Sequence, residues 1–212
     1  MDNKGPVRVL AIAGHSPRGS SSSALLGAVG RLATDTGAEV SIYRELEALP
    51  LFSQDLDGEP APAAVVRLRA ALRASDAVLI SSPEYAHGGN GAIRNALDWV
   101  DSSGELVDKP IALINASHAK RAWASLTETS AVSSAHVVLE AWVTVPLDDR
   151  EVDGNHIAGN AALSNALTSA IVALALAAPY VQGFQDAGPH PHAQGAGEAT
   201  TCGDPSLQQI TS

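Results

Sequence analysis

Residues 14–23 combine hydroxyl and guanidinium groups in a way that could bind an anion. Five serines and one arginine lie here, between an apolar run and a helix-like segment. These side chains donate hydrogen bonds to phosphate oxygens, and a helix start adds unpaired N–H groups at the positive end of its dipole. An ordinary serine cap beside a solvated arginine explains the same residues without a ligand. The candidate anion ligands are Ser16, Arg18, Ser21, Ser22 and Ser23.

Residues 82–91, with the sequence SPEYAHGGNG, form a second stretch that could contact a ligand, again between an apolar run and a helix-like segment. Its glycines let the backbone bend sharply and approach a flat ligand without a Cβ in the way. Tyr85 adds an aromatic surface. A plain surface turn with one stray aromatic residue is the alternative. The residues that could contact such a ligand are the glycines Gly88, Gly89 and Gly91 and the aromatic Tyr85.

The spacing of apolar residues predicts the elements that must position these two stretches. Five strands are predicted, over residues 7–13, 39–43, 76–81, 110–115 and 141–145. The predicted helices cover residues 24–32, 63–75, 92–99, 122–139 and 159–177, and residues 44–62 are expected to form an ordered loop over one edge of the domain. Strands alternating with helices indicate an α/β fold with a doubly wound parallel sheet of five strands and helices on both faces. The flavodoxin-like strand order 2-1-3-4-5 fits this arrangement best.

The helix predicted over residues 63–75 has a two-sided pattern, with apolar residues toward the core and arginines toward solvent. A basic cluster is the other interpretation of the arginines, and a solvated helix face is the simpler one. The inward residues are Val66, Leu68 and Leu72, and the outward ones are Arg67, Arg69 and Arg73.

In the predicted strand order the first, third and fourth strands are neighbours, so the loops at their carboxyl ends converge on one crevice. These loops cover residues 15–23, 82–91 and 116–121. A ligand with a phosphate at one end and a flat ring at the other would match an anion cradle beside a glycine-rich bed, and FMN has that shape. There is no Walker pattern and no Gly-x-Gly-x-x-Gly after the first strand, which disfavours nucleoside triphosphates and a standard dinucleotide fold.

The composition indicates a domain with its own core over residues 1–178 and a flexible or extended tail over residues 179–212. The net charge of −10 argues against nucleic acid and anionic membranes as partners. Four polar residues interrupt the apolar tract 161–178, so we expect a buried helix rather than a membrane span. Cys202 is the single cysteine, which excludes an internal disulfide and a multi-cysteine metal site. The amino terminus has no apolar run, and we therefore expect a cytoplasmic protein.

Both candidate stretches resemble the motifs of the NADPH-dependent FMN reductases, a flavodoxin-fold family that includes quinone, chromate and azo-dye reductases. The resemblance extends over residues 7–176. The family's first motif, Gly-Ser-x-Arg-x-x-Ser-x-Asn-x-x-Leu, is matched at Ser16, Arg18, Ser21 and Leu26. The second, Pro-Glu-Tyr-Asn and then Gly-x-Leu-Lys-Asn-Ala-x-Asp-Trp, is long and specific, and it is matched along residues 83–85 and 91–99.

The resemblance implies roles for residues of all three loops. Backbone groups of residues 83–88 would line the isoalloxazine, and Ser117 and His118 would lie on its other flank. The side chains of Asn95, Asp98 and Trp99 would shape the third helix and its packing rather than touch the flavin. The residues that would hold the FMN phosphate are Ser16, Arg18, Ser21 and Ser23.

Several positions depart from the family motifs. With Ala86 in place of asparagine a side-chain amide is missing, so flavin affinity or ring orientation could differ. The other departures are His15 for glycine, Ser23 for asparagine and Asn90 for a usual proline.

Three histidines, His15, His87 and His118, lie one in each convergent loop. We hypothesise that His87 or His118 faces the flavin or an electron acceptor and makes reduction pH-sensitive between about pH 6 and 7. Exposed histidines with backbone roles are the alternative for each of them. A three-histidine metal site would lack a carboxylate at ligand spacing.

The function implied by the resemblance is an FMN-dependent NAD(P)H oxidoreductase. Hydride would pass from NADPH or NADH to FMN and then to a second acceptor, such as free flavin, a quinone or a similar small molecule, by a ping-pong mechanism without a catalytic side chain. A homodimer or homotetramer is also implied. The alternatives are a flavoprotein reductase dedicated to a biosynthetic intermediate, a flavodoxin-like FMN electron carrier, and a degenerate family member that binds no flavin.

Overall fold

The computed structural model of the chain describes residues 5–14, 21–58, 60–82, 91–115, 135–145 and 153–186. The strands are β1 (Val7–Ala13), β2 (Ala38–Tyr43), β3 (Ala77–Ser82), β4 (Pro110–Asn115), β5 (His136–Val137) and β6 (Val143–Thr144). They form a parallel sheet in the order β2-β1-β3-β4-β5, and β6 also pairs with β4. The predicted α/β class and the flavodoxin-like strand order are therefore confirmed.

Helices cover both faces of this sheet. They are α1 (Ser21–Leu32), α2 (Ala63–Arg73), α3 (Gly91–Asp101), α4 (Gly154–Gly159) and α5 (Ala161–Asp186). α1, α4 and α5 form a hydrophobic core with one face, and α2, α3 and the segment 44–62 form a second core with the other. Successive residues of β4 alternate between these two cores. A strand that is covered on both faces needs apolar residues at its covered positions, which is why residues 9–13 of β1 and 111–114 of β4 are continuous apolar runs in the sequence.

The fifth position of the sheet differs from its prediction. Where the sequence pattern predicts a helix over residues 122–139, residues 116–134 lie outside the described residues, and residues 136–137 form β5. β5 pairs with the first two residues of β4, and β6 pairs with its last two. The 3₁₀ turn Leu139–Ala141 separates the two short strands and buries Ala141 in the core beside α5. Of the strand predicted over residues 141–145, residues 143–144 pair as β6 and residue 141 belongs to the turn. β5 lies within the helix predicted over residues 122–139, so the end of that helix prediction is wrong.

α5 continues past its predicted end at residue 177 to Asp186, and it contains Pro179. A proline inside a helix removes a single N–H donor, and the apolar sequence resumes after it. By length and composition alone, residues 161–178 could cross a membrane. Leu167, Ile171 and Leu174 are buried in the core, and 28% of this stretch is buried in all, so the predicted buried helix packs one face on the core. Residues 179–186 of the predicted tail belong to this helix, so the tail prediction is wrong there. Residues 187–212 lie outside the described residues, and for them the tail stays a prediction.

α2 directs a partly different set of residues into the core than its pattern predicts. Leu68 and Leu72 are buried as expected, but Val65 is fully buried and Val66 is 48% exposed. Val65 shares a helix face with Leu68 and Leu72 at spacings of three and four, whereas position 66 is rotated by about 100° from it.

Arg69 does not belong to the predicted solvated face of α2. Its side chain is 11% exposed, and Nη2 donates to Oδ1 of Asp57 at 2.7 Å and to the Trp99 carbonyl at 2.7 Å. Arg67 and Arg73 do lie more than half exposed, each in an ion pair with a glutamate. Arg69 therefore ties the segment 44–62 to both α2 and α3.

The ion pair between Arg69 and Asp57 leads to a prediction about how the free energy of unfolding changes in acid. The pKa of Asp57 is lowered, first by a hydrogen bond from the Ser102 side chain and then by Arg69. A carboxyl group with a lowered folded-state pKa stabilises the fold above its unfolded pKa, and this stabilisation is lost as the pH falls through the folded value. We expect Asp57→Asn to lower the free energy of unfolding by about 2 kcal/mol at neutral pH, and by less in acid. Urea denaturation at several pH values measures the difference.

The exposed Asp55 provides the control, because Asp55→Asn changes the same charge in the same 3₁₀ turn without touching Arg69. A loss of stability in Asp57→Asn that does not change with pH would contradict the assignment of the effect to this carboxylate.

α1 and α4 approach each other closely at Gly154. A Cβ on this glycine would lie 2.8 Å from the carbonyl oxygen of Ala24 and 3.1 Å from the amide nitrogen of Ala28. Asp153 caps α4, since its carboxylate accepts the His156 N–H at 2.7 Å. The position of the α4 start is therefore fixed against the α1 backbone.

We expect Gly154→Ala to lower the free energy of unfolding by about 2 kcal/mol, because backbone atoms cannot rotate away from the added methyl group. Gly159→Ala, at the other end of α4, is the matched control, since a Cβ there meets nothing within 4 Å. Chemical denaturation of both variants measures the difference, and equal effects would show that close packing at Gly154 is not the cause.

Candidate functional site

The carboxyl ends of β1, β3 and β4 lie side by side at one edge of the sheet. Ala13 is opposite Ser81, and Ser82 is opposite Asn115. The N–H of Gly14, the residue after β1, donates to the Ser81 carbonyl at 2.8 Å. The three predicted ligand loops therefore leave the sheet from adjacent points.

The loop after β1 leads into α1. Ser21, Ser22 and Ser23 form the first turn of this helix, where the backbone N–H groups have no intrahelical acceptor. The other two predicted anion ligands, Ser16 and Arg18, lie outside the described residues. The structure thus places the three consecutive serines at an anion-attracting helix start, and their contacts with a ligand stay a prediction.

The loops after β3 and β4 lie outside the described residues, but the strand ends from which they leave and the start of α3 are described. Ser82 ends β3, Gly91 begins α3, and Asn115 ends β4 with 2% exposure. The roles predicted for the loop residues therefore stay predictions. These residues are Pro83, Glu84, Tyr85, Ala86, His87, Gly88, Ser117 and His118.

The position of α3 is fixed by hydrogen bonds to the segment 50–52. The side-chain nitrogen Nδ2 of Asn95 donates to the Pro50 carbonyl at 2.9 Å, and its side-chain oxygen accepts the Phe52 N–H at 2.7 Å. Trp99 Nε1 donates to the same Pro50 carbonyl at 2.8 Å. The Phe52 and Trp99 rings pack edge to face with centroids 5.1 Å apart. Asn95 and Trp99 therefore have the packing role that the resemblance implies.

Two buried hydroxyl groups that no sequence motif indicates lie near this edge. Ser81 is 0% exposed and Tyr43, the last residue of β2, is 9% exposed. Neither hydroxyl oxygen has a hydrogen-bond partner among the described residues. Burial raises the pKa of Tyr43, because desolvation disfavours the phenolate. The signal that could have found Ser81 is a polar residue next to the end of a strand whose first four residues are all apolar.

These features fit FMN as a cofactor. A helix start with three serines suits a phosphate, and Ser81 adds a buried donor that has no protein acceptor among the described residues. Adjacent strand ends give the open edge at which parallel α/β sheets bind ligands.

Within the described ranges no group of three or more histidine, cysteine, aspartate or glutamate residues could hold a metal ion. His15, His87 and His118 lie outside those ranges, and the hypothesis about their titration stays open.

Curated relatives align with about half of the chain. An NAD(P)H-dependent FMN reductase of Pseudomonas aeruginosa is 34% identical over 114 residues, which is 52% of this chain and 60% of that protein. A probable NADPH:quinone oxidoreductase of Oryza sativa is 36% identical over 95 residues, or 44% of this chain and 47% of that protein. The chain thus spans about half the length of these curated relatives.

The solved structure of FerB, a flavoenzyme NAD(P)H:(acceptor) oxidoreductase from Paracoccus denitrificans, superposes with a TM-score of 0.55 at 27% identity. The superposition covers 85% of this chain and 94% of FerB. The family model described as NADPH-dependent FMN reductase matches residues 7–149, which include all the strands and loops that build the candidate site. The chain belongs to the NADPH-dependent FMN reductase family.

Proposed function

We propose that this chain is an FMN-dependent NAD(P)H oxidoreductase. The observation that carries the proposal is the adjacency of the β1, β3 and β4 carboxyl ends, from which the family's two ligand motifs depart. Family membership supports FMN as the cofactor and NADPH or NADH as the electron donor. Relatives named FMN reductase and quinone oxidoreductase support a small-molecule electron acceptor, either free flavin or a quinone.

The chain would contribute binding and orientation to the reaction. FMN, when bound, supplies a ring that accepts a hydride and passes electrons on. The first turn of α1, with Ser16 and Arg18, would hold the phosphate, and residues 83–88 would support the ring. Ser117 and His118 would flank it. Donor and acceptor would use one crevice in turn, which would give ping-pong kinetics. No side-chain acid or base would be required, so no catalytic side chain is proposed.

We also propose that the protein is a cytoplasmic homodimer or homotetramer. The family resemblance supports the assembly, and the net charge of −10 supports a protein that binds neither nucleic acid nor anionic membranes. Leu51, Leu139 and Leu176 are more than 60% exposed, and an interface would cover such side chains. Sedimentation velocity would determine the oligomeric state.

The visible spectrum of the purified protein tests the proposed reaction. We expect a yellow protein, either as isolated or after addition of FMN, that is bleached by NADPH or NADH without oxygen and recovers its colour on addition of a quinone or free flavin. A yellow protein that neither nucleotide bleaches would be an electron carrier. A protein that stays colourless after FMN is added and removed by gel filtration would contradict the proposal.

A further inference from the structure

We propose that the Ser81 hydroxyl is an additional ligand of the cofactor phosphate, donating a hydrogen bond from the end of β3. This inference rests on the proposed function, because it assigns a further residue to the FMN site. Neither ligand motif contains Ser81, which precedes the Ser-Pro-Glu-Tyr stretch.

The hydroxyl of Ser81 has hydrogen-bonding capacity that the described residues do not satisfy. The residue is 0% exposed, and its hydroxyl has no partner among the described residues. Buried polar side chains nearly always have a partner, because an unpaired hydroxyl loses its hydrogen bonds to water without replacement.

Ser81 lies near the carboxyl end of β3, next to the end of β1. It is the residue before the end of β3, and its carbonyl accepts the Gly14 N–H at 2.8 Å. Gly14 is the residue at which β1 passes into the predicted phosphate loop. The Ser81 backbone therefore lies beside the start of that loop.

The side chain of Ser81 lies on the face of the sheet that α1 covers. Side chains alternate along a strand, so Ser81 shares a face with Leu79, and its neighbours Ala13 and Ile114 belong to the same core. That core is covered by α1, whose first turn consists of serines. The unpaired hydroxyl thus lies on the same side of the sheet as the helix start that attracts an anion.

Tyr43 has the other buried hydroxyl without a partner among the described residues, and its location differs. It ends the edge strand β2 and packs in the opposite core, with α2 and α3. Of these two hydroxyls, only that of Ser81 lies on the α1 side of the sheet.

Substitution of Ser81 by alanine separates a ligand from a structural residue. We expect Ser81→Ala to weaken FMN binding by about tenfold or more, since a hydrogen bond to a charged group is lost. Riboflavin, which lacks the phosphate, should bind both proteins equally. The urea midpoint of the flavin-free variant should be unchanged or higher, because the hydroxyl removed has no partner in the flavin-free fold. Flavin fluorescence titration and urea denaturation provide these two measurements.

Ser75→Ala is the matched control. Ser75 is also a buried serine, 6% exposed, but its hydroxyl donates to the Leu72 carbonyl at 2.8 Å at the opposite edge of the sheet. This variant should have a lower urea midpoint and unchanged FMN affinity. Ser81→Cys fills the space that alanine would leave empty, but its thiol donates only weakly. This variant should therefore lose FMN affinity as well, even if Ser81→Ala disturbs the fold.

The outcomes distinguish the two proposals. If wild-type protein binds FMN but Ser81→Ala binds it within twofold of wild type, Ser81 is no ligand and the proposed function stands. Equal weakening of FMN and riboflavin would place the hydroxyl at the sugar chain or the ring and overturn the phosphate assignment. If wild-type protein binds neither flavin, both proposals are wrong.

Discussion

The parallel hydrogen-bonded register of β1, β3 and β4 is the constraint on which the candidate site depends. Apolar cores cover both faces of these strands, so polar connections can leave the sheet only at its two edges. Because the strands are parallel, all three connections at their carboxyl ends emerge at the same edge. The Gly14 hydrogen bond to Ser81 extends this register one residue beyond β1. The points at which the two motifs begin are therefore brought together by the backbone pairing of strands that carry almost none of the motif residues.

α3 shows that part of the second family motif has a structural role. The loop 83–90 is bounded by the end of β3 and by Gly91, so its shape depends on where α3 begins. Asn95 and Trp99 both bind the Pro50 carbonyl, and Arg69 binds the Trp99 carbonyl further along the helix. These contacts join α3 to α2 and to the segment 44–62. A long motif is thus needed partly because a ligand loop can be positioned only if the helix that follows it cannot shift.

The sequence predicts the elements whose patterns follow directly from burial. The bounds of β1 and β4 are correct, because a strand buried on both faces is an apolar run with polar or proline limits. The strand order is also correct, since alternation of strands and helices leaves few right-handed topologies.

The errors have a common origin in tertiary contacts. The break between β5 and β6 depends on Ala141 fitting under α5, and alanine alone gives no such signal. Arg69 is half of a partly buried ion pair whose partner lies on a loop, so its helix pattern cannot reveal it. Of the candidate site, the serines at the α1 start were predictable from composition, whereas the hydroxyl of Ser81 was not, because its lack of a partner is a property of the folded core.

The two edges of the sheet differ in how well their polar groups are satisfied. At the amino edge, Arg8 makes a bidentate pair with Asp76 at 2.8 and 3.0 Å, and Lys109 Nζ donates to the Ser75 carbonyl at 2.6 Å. Burial lowers the pKa of Lys109, yet the ammonium still caps the end of α2, where carbonyls lack N–H partners. At the carboxyl edge, by contrast, Ser81 and Tyr43 keep hydroxyls without partners among the described residues.

A fold selected only for stability would have no reason to complete one edge and leave buried hydroxyls unpaired at the other, since an unpaired hydroxyl destabilises the folded state. Among the described residues, the unpaired hydroxyl of Ser81 is understandable if it gains its hydrogen bond from a molecule that is not part of the chain. The buried hydroxyl without a partner among the described residues and the order of the strands thus both indicate the same edge of the sheet, and neither observation depends on a sequence motif. That agreement between backbone register and side-chain chemistry is the strongest structural argument that ligand binding occurs at this edge.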